Sequence, residues 1–351
     1  MGDSAERTLS PRELNRALLA RQLLLARSRI SLPKALERVG GLQAQYAPSM
    51  YVGLWTRLEG FERQRLNRAL ERRSVVQGTL MRSTIHLVSA HDYWPFALGV
   101  RRARRQVWGK SGRNRPSPDR VAAAAKRLRG RLANGPLART EVDAALDSPG
   151  SAMVNGVGLW LDLVRVPPAG TWERRRADVY AAAEDWLGPP AAKSEREGIE
   201  HLVRRYLQGF GPAARKDIAD WAGLQPVAIS PVLEEMRLRR FRDQGGDELL
   251  DLPRAPLPDP DTPAPVRFLP VWDATLLAHT RRTGILPEEH RSRVFNVRTP
   301  HSVNTFLVDG VVSGTWRYER GAVKVEPFGR LDRSAQRALR EEAERLAALH
   351  A

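Results

Sequence analysis

The sequence contains no cysteine. This absence excludes disulfides, thiolate zinc sites, iron–sulfur clusters and a cysteine nucleophile. No run of apolar residues approaches the length of a membrane span, so we expect no membrane partner. The seven histidines show no metal-ligand spacing and no glycine-rich phosphate loop occurs, so we predict neither a metal nor another cofactor. The polar first residues do not form a secretory signal, and we expect a cytoplasmic protein.

Lysine is scarce, whereas arginine is abundant. Only six of the 57 basic residues are lysine, and with 40 acidic residues they give a formal charge of +17. Twelve basic residues but one acid, Asp119, lie between Val100 and Arg131. Arginine binds phosphate in a bidentate fork, so this cluster favours nucleic acid as a partner. The alternative is a codon bias toward arginine that yields a solubilising surface.

The N-terminal part of the chain has the pattern of a winged helix. A helix is predicted over residues 10–28, with Ser10 as N-cap and Glu13 at the capping-box spacing. Two further helices are predicted over 32–40 and 61–73. The β-branched runs VVQGTLM and STIHLVS then predict a hairpin. Three helices closed by a two-stranded hairpin is the order of elements in a winged helix.

An internal repeat extends this pattern along the chain. GPLARTEVDAAL (135–146) aligns without gaps on GPAARKDIADWA (211–222), and each copy follows an amphipathic helix. A helix, a Gly-Pro turn and a short helix begin a helix-turn-helix unit, so we predict three tandem winged-helix-like units. The predicted domains are unit 1 over 1–110, unit 2 over 117–188, unit 3 over 195–252, and a C-terminal region over 265–351.

The C-terminal region is predicted to be a small β-meander closed by a helix. Asp309-Gly310 and Arg320-Gly321 stand between β-rich runs and predict two tight turns. A proline-rich stretch over 253–265 precedes this region and predicts an extended, stiff linker. The expected fold class is therefore α+β, mainly α with small β-hairpins.

Two glutamines, Gln43 and Gln45, stand one residue apart in the segment GGLQAQYAP. On a helix, side chains two residues apart point in nearly opposite directions. Both can face one ligand only where the backbone is extended or broken, which Gly40 and Gly41 permit and which Pro48 favours by stopping a helix. The alternative is that both are solvated polar residues in a loop.

Three segments carry a resemblance to a known family. They are GLQAQYAPSMYVGLWTRL (41–58), RSTIHLVSAHDYWPF (82–96) and NTFLVDGVVSGTWR (304–317). With them the sequence resembles the AlkZ/YcaQ family of bacterial DNA glycosylases over roughly residues 10–348. The resemblance implies tandem winged helices arranged as a C-shaped DNA clamp. The AlkZ branch has Gln-x-Gln at its catalytic position and the YcaQ branch Gln-x-Asp, so Gln43-Ala44-Gln45 is AlkZ-like.

This resemblance implies removal of bulky N7-alkylpurines and, in the AlkZ branch, unhooking of interstrand crosslinks of nitrogen-mustard or azinomycin type. Some members of the family protect antibiotic producers from their own DNA-alkylating product. An N7-alkylated purine is cationic and leaves easily, so the enzyme needs mainly a positioned water rather than a strong acid. A glutamine carbonyl can orient that water. We therefore expect Gln43 and Gln45 to act jointly as catalytic residues of a monofunctional glycosylase that leaves an abasic site.

Several other residues are candidates for the site or for DNA contacts. Thr84 and His86 share a strand face, and members of the family often have a histidine at this place near the site, although His86 could equally be a half-buried wing histidine. His301 and Asn304 could line the cleft, or be ordinary loop residues. Trp272-Asp273 matches a family feature for which we expect a structural role. The DNA-binding candidates are Arg101, Arg102, Arg104 and Arg105, and, around a hairpin turn, Arg317, Arg320 and Lys324.

The hairpin around Arg320 has two interpretations. Family members insert a basic hairpin into the minor groove, where arginine is favoured. An ordinary sheet edge kept soluble by charge has the same composition.

The alternative for the whole chain is a non-enzymatic tandem winged-helix regulator of transcription. A regulator reads bases with a recognition helix and often binds a palindrome as a dimer. Three units in one chain instead favour a monomer on double-stranded DNA with alkylpurine lesions or crosslinks, associated with the nucleoid. A glycosylase binds with little sequence preference and a steep salt dependence, whereas a regulator prefers one sequence.

Overall fold

The computed structural model describes residues 5–110, 115–146, 151–191, 194–280, 284–296 and 301–351. The helices are α1 (Pro11–Arg21), α2 (Leu32–Val39), α3 (Ala47–Trp55), α4 (Arg63–Glu71), α5 (Ala90–Lys110), α6 (Pro118–Leu132), α7 (Arg139–Ala145), α8 (Ser151–Trp160), α9 (Ala183–Leu187), α10 (Glu195–Phe210), α11 (Arg215–Ala222), α12 (Pro226–Glu235), α13 (Arg291–Val294) and α14 (Arg333–His350). Among them, none is both long and apolar enough to cross a membrane.

The strands of the same residues are short. They are β1 (Thr8–Leu9), β2 (Leu42–Gln43), β3 (Val75–Thr79), β4 (Ile85–Ser89), β5 (Leu137–Ala138), β6 (Leu163–Arg165), β7 (Val179–Ala182), β8 (Arg239–Asp243), β9 (Glu248–Asp251), β10 (Arg267–Leu269), β11 (Phe295–Asn296), β12 (His301–Ser302), β13 (Thr305–Val308), β14 (Val311–Glu319) and β15 (Ala322–Pro327). The predicted α+β class, mainly helical with small hairpins, is confirmed.

The helical units follow one another along the chain, as the internal repeat predicts. Helices α6, α7 and α8 lead into the hairpin β6–β7, and helices α10, α11 and α12 lead into the hairpin β8–β9. In both units the repeated Gly-Pro segment stands between the first helix and a short second helix. The hairpin predicted in the first unit forms from β3 and β4.

A sheet joins the first two units. Among the described residues its strand order is β2-β4-β3-β6-β7-β5. The joint is the antiparallel pairing of Gln77 with Arg165 and of Gly78 with Val164. Arg165 of the second unit therefore lies beside the hairpin of the first unit that carries Thr84 and His86.

The first and third units meet where α5 crosses α10. A Cβ atom on Gly198 would lie 2.6 Å from the backbone nitrogen of Gly99, so the two helices approach at a distance that glycine alone permits. Aromatic rings surround the crossing, and the rings of Phe96 and Trp221 meet edge to face at 6.0 Å. This packing fixes α11, which carries Trp221, against the first unit.

The C-terminal meander forms with its two tight turns as predicted, in a sheet of order β10-β13-β14-β15. Asp309 and Gly310 have φ of 45° and 80°, and Arg320 and Gly321 have φ of 52° and 79°. Positive φ at both central residues is the type I′ geometry that suits two-residue hairpins. The inner face of the sheet places Phe268, Phe306 and Trp316 in one hydrophobic cluster with residues of α2 and α3.

Two local predictions differ from the structure. The helix predicted over 10–28 ends at Arg21, because Leu23 has a φ of 57° and the Gln22 side chain donates to the carbonyl of Gly209 at 2.8 Å. Helix α3 was not predicted, because Pro48 was interpreted as a helix stop. Pro48 instead lies in the first turn of α3, where its missing N–H costs no hydrogen bond.

The proline-rich linker lies along α1. Its carbonyl groups accept hydrogen bonds from arginines of that helix: Pro260 from Arg12 and Pro256 from Arg21. Arg21 also forms a fully buried ion pair with Asp251, the last residue of β9, at 2.6 Å. The linker thus binds the N-terminal helix to the end of the third unit.

Candidate active site

The segment with the two glutamines is extended. Helix α2 ends at Val39 and is followed by Gly40 and Gly41, which have φ of 78° and 81°. After this turn β2 pairs antiparallel with β4, with Gln43 opposite His86. The pairing continues for one more bond, as the Ala44 N–H donates to the Ile85 carbonyl at 2.7 Å. The chain then enters α3.

Each glutamine amide has a defined neighbour. Gln45 is exposed, and its Oε1 accepts a hydrogen bond from the Ile85 N–H at 3.2 Å. Gln43 is half-buried, and its Oε1 lies 3.5 Å from Nη2 of Arg82. The Ala44 side chain between them is buried. Each side-chain amide retains an NH₂ group that can donate, and each carbonyl has a second lone pair that can accept.

Arg82 occupies the turn between β3 and β4 in a strained conformation. Its φ is 50° and ψ 21°, and Ser83 after it also has a positive φ, 59°. Left-handed backbone is unusual for such residues and persists where the surroundings hold it. Nη1 of Arg82 donates to the carbonyl of Trp221 at 2.8 Å. The third unit therefore helps to position the Arg82 guanidinium beside Gln43.

His86 lies behind the glutamine segment and is 3% exposed. Burial, together with the charges of Arg82 and Arg104, lowers the pKa of His86 to about 3. Its Nδ1 lies 3.1 Å from the carbonyl oxygen of Thr84. A carbonyl only accepts, so Nδ1 carries the proton and Nε2 has the lone pair. His86 is thus a neutral imidazole near pH 7, and Thr84 fixes its tautomer.

A cleft of about 430 Å³ opens beside Gln45 between the first and second units. Its described lining combines residues of the β3–β4 turn with residues of α5, α8, β6 and β7. The arginines in this lining are Arg82, Arg104, Arg115 and Arg165, and it contains neither an aspartate nor a glutamate. Trp108, Leu159 and Leu163 supply apolar wall. The volume is within the range of small-ligand sites.

The cleft arginines are held by neutral groups. Nη1 of Arg104 donates to the Thr79 carbonyl at 2.8 Å, and Nη1 of Arg165 donates to the Thr79 hydroxyl at 2.9 Å. Arg115 stacks on Trp108, with 4.6 Å between the guanidinium carbon and the ring centroid. Burial lowers the pKa of Arg82, Arg104 and Arg165 below the usual arginine value.

A family model described as "DNA glycosylase AlkZ-like" matches residues 36–349. The chain belongs to the AlkZ-like DNA glycosylase family. The resemblance seen in the three sequence segments is therefore confirmed, and the matched range includes both glutamines and all of the cleft residues named above.

Two relatives from Streptomyces sahachiroi match nearly the whole chain. One is named "Interstrand DNA cross-link repair glycosylase" and is 24% identical over 359 residues, which are 94% of this chain and 93% of the relative. The other is a solved structure, "Streptomyces sahachiroi DNA glycosylase AlkZ", with a TM-score of 0.80, 19% identity and coverage of 98% of this chain and 97% of that one. The second match shows a shared fold.

The four arginines predicted on α5 do not face one surface. Arg101, Arg102 and Arg105 line a depression with Glu195, and Arg101 pairs with Asp162 at 2.5 Å. Arg104 faces the cleft beside Gln45. Residues 111–114 of the basic cluster lie outside the described residues. Of the predicted helix arginines, Arg104 is thus the one near the glutamines.

The C-terminal candidates lie on separate elements. Arg317 and Lys324 are cross-strand partners near the tip of the hairpin β14–β15, Arg320 is in its turn, and all three are exposed. Asn304 joins two loops, as its Oδ1 accepts from the Val271 N–H at 2.9 Å, and it is not in the cleft lining. The backbone of His301 pairs in β12, and its side chain lies outside the described part of the structure.

Asp273 forms a buried ion pair with Arg57. Both guanidinium Nη atoms lie 2.9 Å from the carboxylate oxygens, and each side chain is 1% exposed. Burial alone would raise the pKa of Asp273, but the charge and hydrogen bonds of Arg57 lower it below its usual value. The pair joins the segment after α3 to the loop after β10. These contacts are those expected of a structural residue.

One group of side chains has the geometry to hold a cation. His91, Asp92 and His201 have ligand atoms within 4.8 Å of one another. Oδ1 of Asp92 lies 2.7 Å from Nε2 of His201, but the same oxygen also accepts a hydrogen bond from Nη2 of Arg205 at 2.8 Å. A cation would have to displace this arginine or lie beside it, so the group acts as an ion-pair network between α5 and α10. The sequence did not reveal it, because His201 is distant along the chain.

Arg82, Arg115 and Arg165 are cleft residues that sequence reasoning did not select. The sequence has one signal for Arg165, which stands inside the apolar run LVRVPP of a strand. A charged residue in such a run needs a partner or a ligand. Arg115 belongs to the basic cluster, but nothing in the sequence set it apart from the other members. Arg82 has no local signal, because its contacts with the site come from the turn and from the packing of the units.

Proposed function

We propose that this DNA glycosylase hydrolyses the N-glycosidic bond of bulky cationic N7-alkylpurines and unhooks interstrand crosslinks. Its membership of the AlkZ-like family supports glycosylase activity on DNA. The relative named as an interstrand crosslink repair glycosylase, which matches along nearly the full length, supports crosslinks as substrates. The role in the cell is then repair of alkylated DNA or resistance to a DNA-alkylating product.

The observation that carries the proposal is the position of the Gln43-Ala44-Gln45 segment. Gln43 lies on β2 beside Arg82, and Gln45, two residues further on, lines a basic cleft whose described lining has no carboxylate. A carboxylic general acid is not needed to protonate the leaving base when that base is already cationic. The glutamines orient a water by hydrogen bonding and stabilise the developing charge on the sugar through their carbonyl dipoles.

The proposed reaction is monofunctional and ends at an abasic site. A lyase step requires an amine to form a Schiff base with the opened sugar. No lysine is found in the described lining of the cleft. His86, neutral near pH 7 and held by Thr84, maintains the backbone of β4 against which the glutamines are placed and does not protonate the leaving base.

Base release from defined duplexes tests this function. One duplex carries an N7-alkylguanine, a second carries a nitrogen-mustard crosslink, and a third carries an uncharged lesion of similar size. We expect alkali-labile abasic sites in the first two and little product from the third, since an uncharged base is a poor leaving group. Absence of release from every adduct, with tight binding to one undamaged sequence, would instead identify a transcription regulator.

A further inference from the structure

We propose that Arg82, Arg104, Arg115 and Arg165 form a pocket that binds one phosphate of the DNA backbone next to Gln45. The inference deepens the proposed function, on which it rests for the position of that phosphate relative to the lesion. It assigns a DNA contact to Arg82 and Arg165, which neither the basic cluster nor the hairpin suggested, and to Arg115, a member of that cluster that was not among the selected DNA-binding candidates.

The charge of the cleft is the first argument. The ion pairs among the described residues leave out all four of these arginines, whereas neighbouring Arg101 is paired with Asp162. Arg82, Arg104 and Arg165 instead donate to uncharged groups, namely carbonyls, a hydroxyl and the Gln43 amide, and Arg115 packs on the ring of Trp108. Arg82, Arg104 and Arg165 are half-buried, and removing cations from water without a counter-charge is costly. An anion in the cleft would offset that cost.

Unused hydrogen-bond donors are the second argument. In the described structure the buried atoms Nε of Arg104, Nε of Arg165 and Nε1 of Trp108 have no hydrogen-bond partner. Each belongs to a side chain that lines the cleft. Buried donors in native proteins are nearly always paired, and a ligand with several acceptor oxygens in the cleft would pair with these three once their side chains rotate toward it. A phosphodiester has such oxygens, and guanidinium groups bind them in a fork.

The positive charge of the same arginines argues against the lesion base as the group that binds in this pocket. An N7-alkylpurine is cationic and would be repelled by the arginines. A phosphate neutralises part of their field, holds the sugar of its nucleotide close to Gln45 and places a negative charge near the sugar cation that forms. The damaged base then lies outside this pocket. A free phosphate or another small anion has the same chemistry, and the experiment distinguishes it from the DNA backbone.

Salt dependence of DNA binding tests the pocket without any need for catalysis. Affinity for an undamaged duplex is measured by fluorescence anisotropy between 50 and 200 mM salt. Over this range the affinity of a protein with several phosphate contacts falls by a factor of about 10³ or more. Two double variants are compared with wild type. The first, called the glutamine pair, combines Arg104→Gln with Arg165→Gln. The second, called the lysine pair, combines Arg104→Lys with Arg165→Lys and retains both charges. Exposed Arg254→Gln removes one charge from the linker as a control.

We expect the glutamine pair to reduce the slope of log affinity against log salt by about 1, and the lysine pair and Arg254→Gln to leave it near the wild-type value. An unchanged slope in the glutamine pair would overturn the proposal. If that pair does not fold, exposed Arg115→Gln decides the question: a reduced slope supports the pocket, and a wild-type slope overturns it.

The second arm locates the phosphate. A duplex with a stable abasic-site analogue carries a neutral methylphosphonate at one backbone position at a time. At one position beside the analogue, we expect the neutral linkage to weaken wild-type binding about tenfold and to leave the glutamine pair unaffected. Equal effects in both proteins at every position would overturn the assignment, even if base release is normal.

The third arm tests the free anion. Inorganic phosphate and pyrophosphate are titrated while the melting temperature of wild type and of the glutamine pair is followed. Stabilisation of wild type alone, together with an unchanged salt slope, would assign the pocket to a small anion and overturn the backbone assignment. A reduced slope without any base release would retain the pocket and reject the proposed function, so the two failures are distinct.

Discussion

Arg82 connects Gln43 to the third helical unit: its Nη2 lies 3.5 Å from Gln43 Oε1, while its Nη1 donates to the Trp221 carbonyl at 2.8 Å. The candidate catalytic segment is therefore held by a residue of the first hairpin and, through it, by α11. The same guanidinium faces the cleft and lies close enough to His86 to lower the pKa of that residue.

The buried imidazole of His86 gives a pH dependence to stability. Its pKa is about 3 in the folded protein against 6.5 as a model value, so between these pH values the unfolded chain binds one more proton. The contribution of His86 to the free energy of unfolding is constant above pH 6.5. It decreases as the pH falls from 6.5 toward 3, by about 1.4 kcal/mol per pH unit. Urea unfolding of wild type and His86→Gln from pH 7 to 4 measures this slope.

The His86→Gln curve should be flatter by that amount per pH unit. His350, whose pKa burial and the charges of Arg63 and Arg175 lower to about 4, titrates in both proteins and cancels in the comparison. Parallel curves for the two proteins would show that His86 is protonated in the folded state and contradict its neutral tautomer.

Gly41 sets the approach of the glutamine strand to β4. Its φ is 81°, and a Cβ atom there would lie 2.9 Å from Cγ1 of Val88 and 3.1 Å from the Leu87 carbonyl. Gly60 also has a positive φ, 59°, but has open space around it. Gly60→Ala should cost about 1–2 kcal/mol of stability from backbone strain alone. Gly41→Ala should cost more, because β2 must also move away from β4.

Both glycine variants are compared by urea unfolding and by base release. We expect Gly41→Ala to lose most of its base release, since the displaced strand carries Gln43, and Gly60→Ala to keep it. Equal stability and equal activity in the two variants would mean that the extended segment tolerates displacement and that its register does not position the amides.

The Arg57–Asp273 pair should act on stability. Asp273→Asn leaves a buried guanidinium without its counter-charge, which typically costs about 3–5 kcal/mol. The control is Glu59→Gln in the exposed pair with Arg29, whose atoms are 2.8 Å apart and whose loss should be barely measurable. Unfolding in urea measures both. A near-neutral Asp273→Asn variant with reduced base release would instead indicate a role in catalysis.

The basic hairpin β14–β15 should contact DNA. Replacing Arg317, Arg320 and Lys324 by glutamine is expected to weaken duplex binding at least about tenfold at physiological salt and to lower its salt slope. Exposed Arg337→Gln on α14 is the matched control for one lost charge. Anisotropy titrations measure both variants. Wild-type affinity in the triple variant would make the hairpin an ordinary sheet edge.

Local sequence signals predicted the features that depend on few residues. The Ser10–Glu13 capping box forms, and both hairpin turns of the meander have the expected φ values. The hairpin β3–β4 was also predictable from its β-branched residues. These features arise from short-range sterics and hydrogen bonds, which the order of residue types specifies.

Long-range contacts account for what the sequence did not predict. Helix α1 ends at Arg21, where Gln22 binds carbonyl groups of distant segments. The cleft arginines come from four separated parts of the chain, and only Arg104 was among the predicted residues. Their common surroundings depend on the pairing of β3 with β6, which joins two units across a long stretch of sequence. Composition and periodicity carry no information about such pairing.

The most direct measurement is base release by wild type, Gln43→Ala, Gln45→Ala and the double variant on a duplex with one N7-alkylguanine. Exposed Gln64→Ala on α4 is the control, and duplex binding is measured in parallel. The account predicts that base release falls at least about tenfold in each single variant and that binding stays near the wild-type value. The double variant should release base only slightly more slowly than the less active of the two single variants. Full base release by both single variants, with binding retained, would contradict it.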